Sequence, residues 1–321
     1  MRFMIIGFIT AMLGFVSVAH GGYARAGWTA VMPVAAHDAQ GRATILDERT
    51  IRVDRLIYDG TAPLVYLYLG ATNSSPDFVA GIPIGPLLDR EYVNECLTVS
   101  LPVGQSLDGY GAISVWCEQF SVNFSSAAFV APTEPPYERA EWRATLPPGA
   151  HQSQCVATIL DVRTLCIEHF TYDGTAPAVY FYLGATDTQD DFVNGKPIAA
   201  RLNLAYNDES LTLTLPENES LDGYGALSIW CAAVNANFTS ASFQRVQIPG
   251  DCDGDNDVDQ EDFGHFQRCL GLGVSEVPAS PAECIAMDFT GNGTIDQDDF
   301  GVFQACMSSP GVPGDPTCAD D

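Results

Sequence analysis

The chain has 321 residues and a net charge of −27, because 41 acidic side chains outnumber 14 basic ones. A phosphate backbone would repel so acidic a surface, which argues against nucleic acid as a partner. The charge instead suits a partner that is a cation. The length is enough for two or three ordinary domains.

The N-terminus has the parts of a secretory signal peptide. Arg2 precedes an uncharged apolar run at 4–18, and Ala24-Arg25-Ala26 offers the small-x-small pattern of a cleavage site. A transmembrane helix needs about 20 apolar residues, which this run does not reach. We therefore predict a signal peptide over 1–26 and a mature chain, secreted or held at the cell surface, that has no transmembrane segment.

The cysteines fit an exported protein. All ten lie after the predicted cleavage site. In an oxidising compartment, cysteines are expected in disulfides more often than in metal thiolate clusters. The sequence has no CxxC or CxxCH motif, so an attached c-type haem is disfavoured.

The middle of the chain contains an internal repeat. Trp28 recurs as Trp142, an offset of 114 residues, and no gap is needed anywhere. A period this long indicates a duplicated domain rather than a solenoid repeat of about 20–50 residues. We predict one copy at 27–133, a stiff linker at 134–140 and a second copy at 141–247. The matching segments are Ala43–Asp47 and Ala157–Asp161, Tyr58–Pro63 and Tyr172–Pro177, Leu107–Ala112 and Leu221–Ala226, and Trp116-Cys117 and Trp230-Cys231.

Each copy is predicted to consist of β-strands. Short runs rich in branched and aromatic residues, such as 65–69 and 120–124, are separated by turn signals such as Asp59-Gly60. Neither copy shows a sustained helical period. This pattern is typical of a sandwich or a barrel. The predicted fold class is therefore mainly β, with two tandem sandwich-like or barrel-like domains and a small α-helical module with two calcium-binding loops at 248–321.

The ordered motifs of each copy resemble the DM13 domain. They are His37 or His151, an ILD-x-RT strand, a YDG-x-x-P turn, a YLG strand, an LP hairpin and an S-x-WC strand. The resemblance implies a β-rich extracellular module with a proposed part in electron transfer or oxidative modification at cell surfaces. It also implies that the family's characteristic cysteine falls on Cys117 and Cys231, which would act as redox thiols or help to hold a prosthetic group.

The residues around these two cysteines leave the redox role open. Each follows a tryptophan on an apolar strand, whereas a working thiol needs partial exposure and a nearby positive charge. The alternative is a buried, inert thiol or one half of a structural disulfide. Haem or another redox group stays open as a cofactor beside calcium.

Other cysteines suggest two possible pairings. Cys155 and Cys166 flank a turn and can pair if the hairpin has that register. Cys96 lies across the LP hairpin from Cys117 and can pair with it, which would leave Cys231 as the only candidate redox thiol. Connectivity does not follow from a sequence alone.

His37 and His151 recur at equivalent positions in the two copies. Histidine is a common metal ligand, so each is a candidate to hold a metal together with the cysteine of its copy. No second ligand stands at suitable spacing beside either one. The alternative is a histidine that is hydrogen-bonded as part of the fold.

Segment 251–262, DCDGDNDVDQED, has the pattern of an EF-hand calcium loop. Such a loop supplies oxygen ligands from positions 1, 3, 5, 7, 9 and 12. Position 8 is the apolar Val258, and Phe263, Phe266 and Leu270 fall on one face of a predicted helix that follows. The ligand positions hold Asp251, Asp253, Asp255, Asp257, Asp259 and Asp262.

A second loop follows at 288–299, DFTGNGTIDQDD, 37 residues after the first. Gly293 meets the need for a tight turn at position 6, and Ile295 is the apolar eighth residue. A helix like the first is predicted after it, and the two loops together predict two bound calcium ions. The ligand positions hold Asp288, Thr290, Asn292, Thr294 (through its carbonyl), Asp296 and Asp299.

Both loops close with Asp rather than Glu and lead straight into a helix, with no convincing helix before them. In these respects 251–307 resembles a type I dockerin repeat, and also the acidic two-loop tails of exported planctomycete-like bacterial proteins. The resemblance implies a cohesin-like or cell-surface protein partner. Gln260-Glu261 and Gln297-Asp298 differ from the small hydroxyl pairs that usually face a cohesin, so a purely structural calcium module is an equal alternative.

Three functions compete at this point. The first is a surface-associated protein of electron transfer or thiol redox chemistry, and the second is a non-enzymatic adhesion or scaffold protein. The third is an accessory of extracellular polysaccharide breakdown, which rests on the dockerin-like tail alone. The sequence shows no catalytic constellation, so we do not expect an enzyme.

Overall fold

The structure is a computed structural model that describes residues 23–254, 257–271, 282–308, 314 and 318–319. The predicted signal segment before Tyr23 and the predicted calcium ligand Asp255 lie outside the described residues. Within the described residues, no helix is long and apolar enough to cross a bilayer. The described chain folds into two β-domains and a small helical tail.

The first domain consists of two antiparallel sheets of four strands each. The sheet orders are β1-β2-β3-β6 and β5-β4-β7-β8. Its elements are β1 (Thr29–Met32), β2 (Gln40–Ile45), β3 (Thr50–Tyr58), β4 (Val65–Gly70), α1 (Ser75–Val79), β5 (Ile82–Ile84), β6 (Tyr92–Ser100), β7 (Ala112–Cys117) and β8 (Val122–Ala128).

The two sheets of this domain pack face to face around one core. Burial alternates along β2, as expected for a strand with one face on the core. Ile45 of one sheet and Leu67 and Val115 of the other belong to the same buried cluster. A backbone bridge between Thr29 and Val130 joins the sheets at one edge. The mainly β prediction is confirmed, and its sandwich alternative is the one observed.

The second domain repeats this arrangement, so the predicted duplication is confirmed. Its sheets are ordered β9-β10-β11-β14 and β13-β12-β15-β16. Its elements are β9 (Arg143–Leu146), β10 (Gln154–Asp161), β11 (Thr164–Tyr172), β12 (Val179–Gly184), α2 (Gln189–Val193), β13 (Lys196–Leu202), β14 (Tyr206–Thr214), β15 (Ala226–Cys231) and β16 (Ala236–Ser242).

Each domain contains one five-residue helix that the sequence did not indicate. In α1, the side chain of Ser74 caps the helix by accepting from the Asp77 N–H. Phe78 is fully buried, with its ring centroid 5.8 Å from that of Trp116. A helix this short covers little more than one turn, so no apolar period can show in the sequence.

The packed unit of each domain starts upstream of the predicted boundary. Tyr23 donates to Asp108 over 2.9 Å, and Arg25 donates to the carbonyls of Leu107 and Tyr110 over 3.0 and 2.8 Å. The bounds 27–133 and 141–247 stay predictions. The contacts extend the first packed unit back to Tyr23, and the second domain has the same arrangement.

The two domains are linked covalently and by ion pairs. A disulfide joins Cys96 on β6 to Cys166 on β11. The guanidinium of Arg42 lies 2.9 Å from the Asp161 carboxylate across the interface, and Arg52 pairs with Glu141. Strands β3 and β6 therefore face β11 and β14, and the polar faces of these strands are buried between the domains.

Both cysteine pairings offered by the sequence are wrong. In the β10–β11 hairpin, Cys166 lies opposite Thr158, while Cys155 points into the core of the second domain. The hairpin turns at Val162-Arg163, where Asp161 pairs with Thr164, so Cys155 lies three residues from the position opposite Cys166. Cys96 and Cys117 belong to different sheets, so the LP hairpin does not bring them together.

The tail comes after the second domain. Its described part contains three helices, α3 (Gln260–Cys269), α4 (Ala282–Ile285) and α5 (Gln297–Cys306). A helix follows each loop, as predicted, and each opens with a capping box. The short α4 precedes the second loop, where the sequence showed no helix. Disulfides Cys269–Cys284 and Cys306–Cys318 tie the ends of α3 and α5 to neighbouring segments.

The tail has its own small core. Phe266 and Phe303 are buried, with ring centroids 5.1 Å apart, and Val258 and Ile295 are fully buried beside them. Leu270, predicted on the same face as Phe266, is 51% exposed because α3 has already ended. Disulfide-bonded Cys269 occupies the buried position instead.

Candidate functional site

The S-x-WC strand places its two characteristic side chains on opposite faces of the sheet. Successive residues of a strand alternate between faces, so Trp116 lies under α1 while Cys117 enters the core. Cys117 is fully buried, and its thiol donates to the Pro63 carbonyl over 3.2 Å. Cys231 is 1% exposed and donates to the Pro177 carbonyl over 2.9 Å.

The loop that accepts this hydrogen bond is pinned by a buried tyrosine. The hydroxyl of Tyr58 donates to the Ala62 carbonyl and accepts from the Ala62 N–H, each over 3.0 Å. Burial raises the pKa of the Tyr58 hydroxyl, and the nearby Asp59 carboxylate raises that pKa further, whereas the hydrogen bond with Ala62 lowers it. The phenol therefore stays protonated and close to the thiol.

The second copy reproduces the tyrosine. Tyr172 makes the same pair of hydrogen bonds with Ala176, each over 3.1 Å. Burial raises the pKa of its hydroxyl as well, and the nearby Asp173 carboxylate adds to this effect. Sequence reasoning missed both tyrosines as site residues. Their place in the repeated YDG motif was the signal that could have found them.

His37 lies on the solvent side of Tyr58 and of the loop that Tyr58 holds. Its Nδ1 lies 3.0 Å from an Asp59 carboxylate oxygen and 3.0 Å from the Thr61 hydroxyl. Its ring centroid is 4.3 Å from that of Phe124 and 6.4 Å from that of Tyr58. The histidine thus contacts both the loop and the aromatic core.

The backbone holds this histidine in an unusual conformation. His37 has φ 57° and His151 has φ 58°, in the left-handed region that costs a residue with a Cβ free energy. Strain of this kind persists only where the surrounding structure enforces it. Because the histidine has this positive φ in both copies, the fold maintains its conformation.

The hydrogen bonds to Asp59 also shift its titration. Partial burial alone would raise the pKa of this carboxyl, but hydrogen bonds from Thr61 and His37 lower it below its ordinary value. Asp173 is shifted in the same direction, mainly by the Thr175 N–H. Both carboxylates are therefore charged at neutral pH and orient the histidine rings.

Each histidine has hydrogen-bond partners within its own domain. Nδ1 of each ring is engaged by a carboxylate and a hydroxyl. Among the described residues, groups of three potential metal ligands occur only in the tail. The observed contacts agree with the alternative of a histidine that is hydrogen-bonded as part of the fold, and the histidine–cysteine metal site stays a prediction.

Three of the cysteines outside the disulfides are buried in the β-domains. They are Cys117, Cys155 and Cys231. Because Cys96 pairs with Cys166, Cys117 keeps its thiol. Cys117 and Cys231 are therefore both candidate redox thiols. Cys155 occurs only in the second copy, and burial raises the pKa of its thiol.

The first acidic loop gathers its carboxylates. One oxygen from each of Asp251, Asp253 and Asp262 lies within 4.8 Å of the others, and Asp257, Asp259 and Asp262 form a second such group. The two groups share Asp262, which is 1% exposed. This carboxylate also accepts from the N–H of Cys252 over 2.7 Å and of Asp259 over 2.8 Å.

The donor set of this loop fits a calcium ion. Calcium takes six to eight oxygen ligands, and the five described ligand positions all carry carboxylates. A carboxylate as buried as Asp262 is costly unless it is paired or binds a metal. Among the described residues, no arginine or lysine forms a salt bridge with Asp262. Calcium bound here would hold the loop against the start of α3.

The second acidic loop is folded by its own hydrogen bonds. Asp288 accepts from the N–H of Asn292 over 3.0 Å and of Gly293 over 2.9 Å. Asp299 is fully buried and accepts from the N–H of Thr290 over 3.0 Å and of Asp296 over 2.9 Å. The three carboxylates at its ligand positions do not gather as those of the first loop do. The hydroxyl of Thr294 donates to Asn292 over 2.7 Å.

Fold and site together define a protein with two tandem β-sandwiches, each with a free thiol beside a tyrosine in its core. The family described as "Electron transfer DM13" matches residues 33–129 and 145–243 of this sequence. The chain therefore belongs to the DM13 family, and the resemblance seen in both repeats is confirmed.

The chain is also similar to two curated proteins of Drosophila melanogaster, "Protein Skeletor, isoforms B/C" and "Protein Skeletor, isoforms D/E". The identity is 33% over 214 residues in both cases, which is 63% of this chain. The match covers 26% of the first relative and 14% of the second, so the chain corresponds to a minor part of each. No solved structure matches the chain.

Proposed function

We propose that this chain is an exported, surface-associated electron-transfer protein whose redox groups are the thiols of Cys117 and Cys231. One observation carries the proposal. Both copies keep a free thiol at the same position, hydrogen-bonded to the loop carbonyl that follows a buried tyrosine. Membership of a family described by electron transfer supports the same assignment.

The burial of these thiols favours electron transfer over thiol–disulfide exchange. Exchange requires a partner thiolate to reach the sulfur along the bond that breaks. Cys117 is fully buried and Cys231 is 1% exposed, so no protein disulfide can approach either sulfur in this conformation. A one-electron step needs no such access. The S–H bond breaks, the electron passes through neighbouring groups to an external one-electron acceptor, the proton passes to solvent, and a thiyl radical remains until an external donor returns the electron and a proton is taken up again.

The tyrosine and the histidine offer that route. Cys117 and Tyr58 belong to the same buried cluster, and the ring of Tyr58 is 6.4 Å from that of the half-exposed His37. Cys231, Tyr172 and His151 repeat this order, with 6.5 Å between the rings. Each domain therefore carries a path from a buried sulfur to the surface.

Differential thiol labelling, with a visible absorption spectrum, tests the chemical state of these cysteines. We expect Cys117 and Cys231 to resist alkylation in the native protein and to react fully after denaturation without a reductant. If both are blocked until a reductant is added, they are disulfide-bonded and the proposal fails. An absorption band in the visible range would instead point to haem or another bound redox group as the electron carrier.

We propose in addition that the tail is a dockerin-like module folded around calcium, with the first loop as the stronger site. The gathered carboxylates of Asp251, Asp253 and Asp262 support this role. Such an ion would be structural, and the tail would attach the β-domains to a cohesin-like or other surface protein.

A pair of adjacent substitutions tests the calcium site. Asp262 is buried among the carboxylates, while its neighbour Glu261 is exposed. A ligand that binds only the folded state raises the melting temperature, so calcium should stabilise the tail. Asp262→Asn should abolish this rise, and Glu261→Gln should keep it. A melting temperature that ignores calcium and chelator in the unsubstituted protein would refute the site.

A scaffold function is the second candidate. The observation that favours it is the covalent link between the domains, since Cys96–Cys166 and the ion pairs across the interface produce a rigid tandem unit. If the thiols prove inert to oxidants while the linked domains bind a surface protein, the chain serves as a scaffold instead.

A further inference from the structure

The strongest unassigned feature is the segment just before the first domain. Arg25 donates to two backbone carbonyls, those of Leu107 and Tyr110, and its guanidinium stacks 5.2 Å from the Trp28 ring. The same guanidinium lies 5.8 Å from the ring of Phe129 near the end of the domain. Arg25 thus connects the N-terminal turn of the domain, through Trp28, to the segment that holds Phe129 near the end of the domain.

An equivalent arginine in the second domain makes the same contacts, so these contacts are a feature of the fold. Arg139 donates to the carbonyls of Leu221 and Tyr224 over 3.0 and 2.8 Å, and it stacks between Trp142 and Phe243 at 5.3 and 5.9 Å. These distances match those of the first copy within about 0.1 Å.

The tyrosine two residues earlier also recurs. Tyr23 donates to Asp108 over 2.9 Å, and Tyr137 donates to Asp222 over 2.7 Å. In the second copy this segment lies in the middle of the chain, so no processing at the N-terminus can remove it. The second copy is therefore an internal reference for what a complete domain contains.

A cut after Ala26 would remove this segment from the first domain only. The domain would lose the two hydrogen bonds of Arg25, the hydrogen bond of Tyr23, and the cation that covers Trp28. Cation–aromatic contacts stabilise most when the cation is withdrawn from water, and Arg25 is partly buried. Cleavage there would leave the first domain less stable than the second.

We propose that export processing cuts before Tyr23, after Ser17-Val18-Ala19, so that the mature chain begins at His20. Ser17-Val18-Ala19 has the small-x-small pattern and directly follows the apolar run. The proposal rests on the proposed export of the protein. It replaces the pattern at 24–26 as the cleavage site and assigns Tyr23 and Arg25 to the mature domain.

Intact-mass analysis and N-terminal sequencing of the exported protein test this cleavage site. A start at His20, or at any residue up to Tyr23, supports the proposal, and a start at Gly27 overturns it. A chain that keeps Met1 and stays inside the cell overturns both the cleavage and the proposed export. The three outcomes differ in mass, so the two failures are distinguishable.

A second measurement does not depend on export. Chains starting at His20 and at Gly27 are produced without a signal segment, and their thermal unfolding is compared. We expect the shorter chain to melt at least about 5 °C lower, because it lacks the fastening of its first domain. Arg25→Ala and Arg139→Ala form a matched pair that should lower the melting temperature by similar amounts. Equal melting of the two chains would overturn the assignment of 23–26 to the domain.

Discussion

Removing the disulfide between the β-domains should have the largest effect on stability of any substitution outside the cores. The double variant Cys96→Ala/Cys166→Ala deletes both sulfurs and leaves no unpaired thiol behind. The two cysteines are 70 residues apart in the sequence. A bond that closes a loop of this length in the unfolded chain stabilises the folded state by about 4 kcal/mol in the chain-entropy treatment.

That free energy predicts a clear shift in thermal unfolding. For a protein of this size, a loss of about 4 kcal/mol corresponds to a melting temperature about 10 °C lower. The variant should still fold, because ion pairs such as Arg42 with Asp161 also hold the interface. Urea unfolding measures the same loss as a lower midpoint, with a steeper slope because the unfolded chain without the cross-link exposes more surface.

A control separates the bond from the loss of buried sulfur. Cys155 is 2% exposed and forms no disulfide, so Cys155→Ala removes a buried sulfur without breaking a link. Its destabilisation should be clearly smaller than that of the double variant. If Cys155→Ala lowers the stability as much as the double variant does, the disulfide does not account for the loss. Peptide mapping that finds Cys155 bonded to Cys166 would contradict the Cys96–Cys166 pairing itself.

Further predictions concern single groups. Burial raises the pKa of the Cys155 thiol. This thiol should therefore resist alkylation at pH 8 in the native protein and react once the protein is unfolded. Rapid labelling of the native protein would contradict the buried position of Cys155. Burial alone would raise the pKa of Asp161, but hydrogen bonds and the charge of Arg42 lower it. Its stabilisation is therefore present at neutral pH and lost as the pH falls through this lowered value. Asp161→Asn should flatten the acid limb of stability against pH, and an unchanged limb would contradict this. Phe78→Ala should cost about 3–5 kcal/mol, measured by urea unfolding, because the ring is fully buried against Trp116; a loss under about 1 kcal/mol would show that α1 does not cover the sheet.

Repetition made the β-domains predictable. The offset from Trp28 to Trp142 fixed the duplication, and the alternating runs between Gly and Asp turns indicated strands. The choice between sandwich and barrel depends on whether the sheet edges pair continuously; here the strands form two separate sheets, and only an isolated bridge between Thr29 and Val130 joins them at one edge. Such contacts join residues far apart in the sequence and leave no local pattern.

The cysteine pairing failed for a related reason. Symmetry about a turn suggested Cys155 with Cys166, but the hairpin turns later, at Val162-Arg163, and Thr158 is the residue opposite Cys166. A displacement of three residues, an odd number, turns the side chain of Cys155 to the opposite face of the sheet. The true partner of Cys166 lies in the other domain, and domain packing is not encoded in local periodicity. Identical motifs do reveal Tyr58 and Tyr172, once one asks which repeated residues adjoin the cysteines.

If Cys117 and Cys231 are the redox groups of the two domains, the protein with its disulfides intact should give up electrons to ferricyanide, a one-electron oxidant. The Cys155→Ser/Cys252→Ser background should give up the same number, and the Cys117→Ser/Cys231→Ser double variant in that background should give up almost none. If the double variant reduces as much ferricyanide as the unsubstituted protein, the electrons come from elsewhere and the account is contradicted.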